Sequence, residues 1–201
     1  MGDGAFNVDY QRVLITMSLI KSVEDSDYTE KHSLRVGRLC KKVAIEMGYI
    51  LTETKTLTRA AYFHDVGKIK LSKDILFKSG RLTDEEFDQM KQHPTYGSEI
   101  LINLGLSEEA KIVIAHHERL DGSGYPNGIS GQTIGLNSRI LNVVDVFDAI
   151  TSDRPYRKGL TVRNTMLYLY SNADTKFDLR VIKALHKVLE SDRKIKKVFD
   201  Q

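Results

Sequence analysis

The chain has 201 residues, 41% of them hydrophobic, enough for one domain with its own core and with no need of a disulfide or a metal merely to fold. Lys and Arg total 30 against 27 Asp and Glu, and the formal net charge of +3 is too weak for a dedicated binder of nucleic-acid polymers. The single cysteine, Cys40, excludes an intrachain disulfide, and the longest early apolar run, Val13 to Ile20, falls far short of the roughly 20 residues that span a bilayer.

The first twenty residues have neither a basic start nor a small-residue cleavage site, and Phe6 stands where a myristoylation signal has Ser or Thr. A cytoplasmic protein without membrane association is expected. Apolar residues then recur at helical spacing, and no stretch alternates long enough for a strand. The first expected helix covers residues 9 to 24, with Val13, Met17, Ile20 and Val23 on one face. The second runs from about Thr29 to Gly48, with Val36, Leu39, Val43 and Met47 as its stripe. Thr52 and Glu53 open a third, which carries Leu57, Ala60, Ala61 and His64 and breaks near Gly67.

Thr83-Asp-Glu-Glu86 is a capping box. Its helix should stop near His93, because Pro94 disfavours the α region in the residue before it. Pro94 suits the first position of the next helix, which extends to about Leu104. Further helices are expected at about 107 to 119, 136 to 152, 161 to 171 and 178 to 190, followed by a short basic one. The Lys and Arg residues between 193 and 197 read as a solvated face. Between 121 and 135 the periodicity fails and five of the 14 glycines gather, a loop too long for a simple connection and therefore a candidate functional segment. No repeat, low-complexity tract or linker divides the chain, so a single domain is expected over 1–201.

Five of the six histidines sit in distinctive contexts. Successive residues of a helix point about 100° apart, so His64-Asp65 can offer an imidazole to one cation while the carboxylate reaches between two. The alternative is a plain hydrogen-bonded pair. Lys68 shares their face if the turn holds. Asp145 lies in the apolar run Ile-Leu-Asn-Val-Val-Asp-Val-Phe-Asp-Ala-Ile, where an ionised carboxylate is costly unless a cation or hydrogen bonds compensate it. Asp148 is three residues on, and one of the two can be purely structural. His116-His117 brings two imidazoles to the end of another apolar segment. Such nitrogen and oxygen donors suit iron or manganese, with zinc or nickel also open. No Cys-x-x-Cys or His-Glu-x-x-His motif occurs. His186, grouped with Ile182, Leu185 and Leu189, is read as structural.

His64-Asp65-Val-Gly-Lys68, His116-His117-Glu-Arg-Leu-Asp121-Gly-Ser-Gly-Tyr-Pro126 and Asp153-Arg-Pro-Tyr-Arg157 resemble the motifs of the HD-GYP family of bacterial phosphodiesterases. The resemblance runs from about Asp27 to Leu160, with a weaker tail through Phe177-Asp178, and all three prolines fall inside it. It implies an all-α HD-domain helical bundle with additional C-terminal helices over 161–200. It also implies a metal centre in which His32, His64 and Asp145 hold one ion, Asp65 bridges, and His93, His116 and His117 complete the second. Members with a third metal carry a Glu four residues before the first histidine. Tyr28 stands there, so two divalent ions are expected, iron first and manganese as the alternative.

The implied reaction is hydrolysis of cyclic di-GMP to linear pGpG, with GMP as an open further product. A hydroxide bridging cations roughly 3.5 to 4 Å apart would attack phosphorus. Asp65 and Lys68 are the expected catalytic residues, and Lys68, Tyr125, Arg154 and Arg157 the expected substrate contacts. Gly122 and Gly124 are expected to supply unusual backbone angles.

Two stretches depart from the family pattern. Ile134-Gly-Leu-Asn-Ser-Arg139 replaces a proline-containing segment, and Ala173-Asp174 replaces Gly-Gly, with no proline after Asp178. The chain starts almost at the resembling region, so regulatory input is expected either to come from a partner, such as a diguanylate cyclase or a receiver or sensor protein, or to be absent from this chain. Two other readings stay open. One is a different substrate, cyclic GMP-AMP or a linear nucleotide; the other is a non-catalytic module that binds a signalling partner through the glycine-rich loop.

Overall fold

The computed structural model describes residues 27–153 and 158–192, with side chains from His32 onward. The helix expected over 9 to 24, the basic terminal helix, and Arg154 and Arg157 lie outside the described residues.

Helix α1 (Asp27–Glu46) reverses at Gly48, whose φ of +82° is the left-handed value that glycine adopts without strain, and leads into α2 (Leu51–Phe63). The Glu53 carboxylate accepts from the Ile50 amide at 3.1 Å and satisfies one of the amides left open at the start of α2. These two helices form the most extensive helix pair of the fold. The buried stripe of α1 is Val36, Cys40, Val43 and Ala44, whereas Leu39 and Met47 only pack against its edge. The expected stripe was therefore rotated: the fully buried face follows an i, i+4, i+7, i+8 pattern. In α2, Leu57, Ala60, Ala61 and His64 lie buried as expected, with His64 just past the helix end.

A 3-10 turn (Val66–Lys70) and the short α3 (Lys73–Leu76), neither expected, precede α4 (Asp84–Met90), and α5 (His93–Asn103), α6 (Ser107–Val113), α7 (Leu136–Thr151), α8 (Val162–Ser171) and α9 (Leu179–Ser191) follow. Among the described residues there is no strand, only an isolated bridge between Ala173 and Phe177. None of the described helices is long and apolar enough to cross a membrane.

Three boundaries differ from expectation. Helix α4 stops at Met90, and α5 starts at His93 with Pro94 second rather than first. Helix α6 ends at Val113 rather than near 119, because the chain tightens to i→i+3 bonds, His116 N–H to Val113 O and Glu118 N–H to Ala115 O. His186 is not on the buried stripe of α9. Its side chain is 36% exposed and its Nδ1 lies 2.9 Å from the Tyr170 hydroxyl, while Val181, Ile182, Leu185 and Leu189 form the buried face.

Helix α7 is the centre of the fold and packs against α1, α6, α8 and α9. It is buried nearly all round, yet carries polar residues at every third position: Arg139, Asn142, Asp145 and Asp148. Each has fixed partners, as burial demands. The Arg139 guanidinium donates to Ile134 O, Gly131 O, Gln132 Oε1 and the Asp178 carboxylate, and so clamps the segment 131–134 and the start of α9 onto α7. This is what shapes the stretch without proline. At the other departure, Asp174 takes the left-handed conformation (φ 57°), which Asp tolerates better than most residues.

Asp178 also caps α9, accepting from the Arg180 amide at 2.9 Å. Burial opposes ionisation of its carboxyl, but hydrogen bonds from Arg180 and Arg139 outweigh this and hold its pKa at about 2. Its contribution to stability is thus complete above the ordinary carboxylate range near pH 4 and is lost as the pH falls through about 2. Asp178→Ala should cost about 3 kcal/mol, since it leaves Arg139 buried without its counter-charge. It should also flatten the acid-side loss of stability between those pH values, as read from urea midpoints.

Candidate metal centre

Three histidines are placed by one device. The last carbonyls of a helix have no intrahelical partner, and the imidazole Nδ1 of His64 meets Ala61 O at 2.8 Å, that of His93 meets Met90 O at 2.8 Å, and that of His116 meets Val113 O at 2.6 Å. A carbonyl oxygen only accepts, so in each ring Nδ1 carries a proton and Nε2 is the nitrogen that offers a lone pair when the imidazole is neutral. Those lone pairs converge. His93 Nε2 lies 3.4 Å from His116 Nε2, and His64 Nε2 is buried with no hydrogen-bond partner. Inward-facing, unpaired basic nitrogens are the arrangement a cation requires.

His32 is held differently, between two carboxylates of α7. Its Nε2 is 3.1 Å from Asp145 Oδ1 and its Nδ1 is 2.7 Å from Asp148 Oδ2. Asp148 is in turn gripped by Arg35 through two bonds of 2.7 and 2.8 Å. Asp148 is therefore the residue that orients His32, while Asp145 also faces His64 Nε2 at 3.7 Å.

Asp65 lies between the two groups. Its Oδ2 is 3.3 Å from His64 Nε2 and its Oδ1 is 3.4 Å from His93 Nε2. The turn after it holds, with Lys68 N–H on Asp65 O at 3.0 Å, and Lys68 Nζ reaches Asp65 Oδ2 at 2.6 Å. Gly67 allows this approach, because a Cβ there would fall 2.0 Å from His93 O and 2.4 Å from Gly97 N. The seven expected donors are thus brought together in one place. Donor atoms within 4.8 Å of one another occur in His32, His64 and Asp65, in His64, His116 and Asp145, and in His93, His116 and His117. These are clusters able to hold metal.

The two halves differ in electrostatics. Burial opposes protonation of His32, but hydrogen bonds to Asp145 and Asp148 and the nearby carboxylate charges outweigh it and raise its pKa to about 9. At His64 burial is likewise outweighed, by Asp65 and Asp145, and its pKa is raised. On the other side burial wins: His93 is lowered to about 4, His116 to about 3, and His117 well below the ordinary histidine value. Burial works against ionised Asp65, but His64 and Lys68 keep its carboxyl well below the usual range.

Tyr125 lies over His117, ring centroids 4.7 Å apart and planes 33° apart, and burial followed by the charges of Asp65 and Asp145 pushes its hydroxyl pKa up. Gly122 has the expected unusual angle (φ +80°), but Gly124 does not have a positive φ. It serves close packing instead: a Cβ there would meet Arg119 N and Glu118 Cα at 2.4 Å. The histidine turn is pinned to α7 by Asn142, whose Nδ2 donates to His116 O at 2.7 Å and Glu118 O at 3.0 Å and whose Oδ1 accepts from Arg119 Nη1 at 2.6 Å. Glu118, buried, accepts from the Asn127 amide and ties the glycine-rich loop to the same turn. Neither Asn142 nor Glu118 was expected. The signal available for Asn142 was a polar residue in an apolar helix, three positions before Asp145. Lys68 and Tyr125 are at the cluster as expected.

Comparison with known proteins identifies the family. The HD domain family model matches residues 17–181. The cyclic di-GMP phosphodiesterase response regulator RpfG of Xanthomonas campestris is 41% identical over 154 residues, covering 75% of this chain and 41% of its own length. The 3'3'-cGAMP-specific phosphodiesterase 3 of Vibrio cholerae is 36% identical over 165 residues, covering 82% of this chain and 36% of its own. The chain therefore spans about two fifths of the length of these curated relatives. Among solved structures, the HD-GYP-type protein Bd1817 of Bdellovibrio bacteriovorus superposes with a TM-score of 0.70 at 18% identity, over 92% of this chain and 64% of that one, and shares its fold.

A proton held on His32 below about pH 9 has to leave before a cation can take its place. Affinity for Mn²⁺ should accordingly rise with pH from neutral toward about 9, with proton release visible as buffer-dependent heat in titration calorimetry. Asp148→Asn should weaken binding by about 10- to 100-fold, the usual cost of losing a residue that orients a ligand. Affinity that does not respond to Asp148→Asn would show that His32 needs no such support.

Proposed function

The chain belongs to the HD domain family, in its HD-GYP branch, and we propose that it is a metal-dependent phosphodiesterase that opens cyclic di-GMP to linear pGpG. The observation that carries this reading is Asp65, whose two carboxylate oxygens face separate histidine groups at 3.3 and 3.4 Å. In it, His32, His64, Asp145 and Asp65 hold one divalent ion and Asp65, His93, His116 and His117 the other, with iron as the native metal and manganese as the alternative. When bound, such a pair supplies Lewis acidity that activates water and offsets phosphoryl charge.

The chain's own residues do the rest. Neutral His93, His116 and His117 need lose no proton to act as donors. The carbonyl and carboxylate anchors hold the rings in place, so little reorganisation accompanies the reaction. The Lys68 ammonium, partly exposed and turned toward Asp65, is assigned to meet an incoming phosphate, with Arg154 and Arg157 assigned as further contacts. Tyr125 closes the side of the site next to His117 and borders the substrate. A cytoplasmic location and control by a receiver, a sensor or a diguanylate cyclase belong to the same reading. RpfG, named a response regulator, supports the last point. The Vibrio relative named for 3'3'-cGAMP supports that dinucleotide as the second candidate substrate.

The test is an anaerobic assay with cyclic di-GMP, its products separated by chromatography and metal content measured on the same sample. Wild type should form pGpG, or GMP beyond it, only when loaded with metal. Asp65→Ala should lose more than about a hundredfold in rate, beyond the range typical of residues that merely orient ligands. Full metal occupancy without cleavage of cyclic di-GMP would overturn the reading, and cleavage of 3'3'-cGAMP alone would replace the substrate.

A further inference from the structure

Helix α4 adds nothing to the core: none of its residues is buried. Its N-terminus is held by reciprocal capping, the Thr83 hydroxyl accepting from the Glu86 amide and the Glu86 carboxylate accepting from the Thr83 amide at 2.7 Å, with Lys78 on the same carboxylate. Its other end supplies the Met90 carbonyl to His93. An element fixed so carefully at its ends, with no apolar face to bury, is positioned for something other than packing.

The one aromatic residue of α4 is Phe87, 45% exposed. A lone exposed apolar residue needs no explanation, but Phe87 is continuous with the metal centre. Its ring meets that of Tyr125 edge to face, 6.3 Å between centroids and 76° between planes, and Tyr125 lies 4.7 Å from His117. His117, Tyr125 and Phe87 therefore form a row of rings leading outward from the donor cluster. Lys91, paired with Asp88, covers one face of Phe87 with its ammonium at 4.9 Å, and the residue remains open to solvent all the same.

We infer that Phe87 is the surface on which a guanine base of the substrate stacks, with Tyr125 bordering it edge to face. This rests on the cyclic-dinucleotide reading and deepens it. With the phosphodiester at the metal centre, a base stands one nucleotide's length away, and Phe87 stands two ring contacts away from His117. A purine presents a broad π face, and an exposed aromatic ring is the surface that recognises it without hydrogen bonds. Phe87 is thus a substrate-binding residue remote from the reacting phosphate. It governs how well a nucleotide diester is captured compared with a diester that has no nucleobase.

The experiment compares kcat/KM for cyclic di-GMP and for its abasic analogue, the same cyclic ribose phosphodiester with no aromatic ring, in metal-loaded wild type, Phe87→Ala and Phe87→Trp. Alanine should lower kcat/KM for cyclic di-GMP by about tenfold more than for the base-free diester, mainly through KM, and tryptophan should restore it. Phe87 has no buried neighbour in its own helix, so unchanged melting temperatures and metal content should accompany the loss. Equal losses on both diesters, or full cyclic di-GMP activity in Phe87→Ala, would overturn the inference while leaving the proposed reaction intact. Wild type that cleaves the base-free diester but no cyclic dinucleotide would overturn the substrate reading and the stacking wall together.

Discussion

An ionised carboxylate in the middle of a buried helix has to be compensated, and the placement of Asp145 and Asp148 on α7 organises most of this molecule. Both are nearly inaccessible, and both are answered by residues of α1: His32 lies between them and Arg35 secures Asp148. The pairing of α1 with α7 is therefore polar at its functional end and apolar along the rest, where Val36, Cys40 and Val43 join Ile140, Leu141 and Val144 in the core. The same helix turns Asn142 toward the histidine turn and Arg139 toward the start of α9. One helix thus ties the site, the glycine-rich loop and the C-terminal helices to a common axis.

The imidazoles outside this axis use a second constraint. Each of α2, α4 and α6 ends with carbonyls that need donors, and in each case the donor is a histidine three residues after the carbonyl it satisfies. The hydrogen bond completes the helix end and fixes the tautomer together. The site then divides by charge: one side rich in carboxylates that draw protons onto His32 and His64, the other dry and neutral at His93, His116 and His117. Asp65, at the boundary, is the residue common to both.

The clustered histidines and carboxylates stood out in the sequence because they violate the expectations of an apolar core. Asp145 was visible as a charge in an apolar run, and His64-Asp65 and His116-His117 as polar pairs closing apolar helices. Of the supporting residues, Asp148 was named as half of a carboxylate pair of which one member can be structural, but its partner was not, since a pattern along the chain does not say which buried group faces which. Asp148 gains its role only from α1, and Asn142 only from the turn it pins. The misplaced end of α6 has a similar origin: Ile114 and Ala115 continue the apolar character after the hydrogen bonding has changed. His186 was grouped with the apolar face of α9, whereas its position between Ile182 and Glu190 places it at the margin, where Tyr170 can reach it. Gly124 was expected to differ in backbone angle, yet it is required by the nearness of a neighbouring backbone that sequence alone does not reveal.

The absence of buried side chains in α4 has a consequence for motion. Segments that bury little apolar surface open at a small fraction of the free energy of global unfolding. Detaching α4 exposes no core and breaks chiefly its end bonds, so the outer edge of the site can come away while α7 and its partners stay folded. Because the Met90 carbonyl belongs to α4, each excursion also removes the acceptor of the His93 Nδ1 proton. The hydrogen bond that sets the tautomer of one buried imidazole thus depends on a helix that adds nothing to the core.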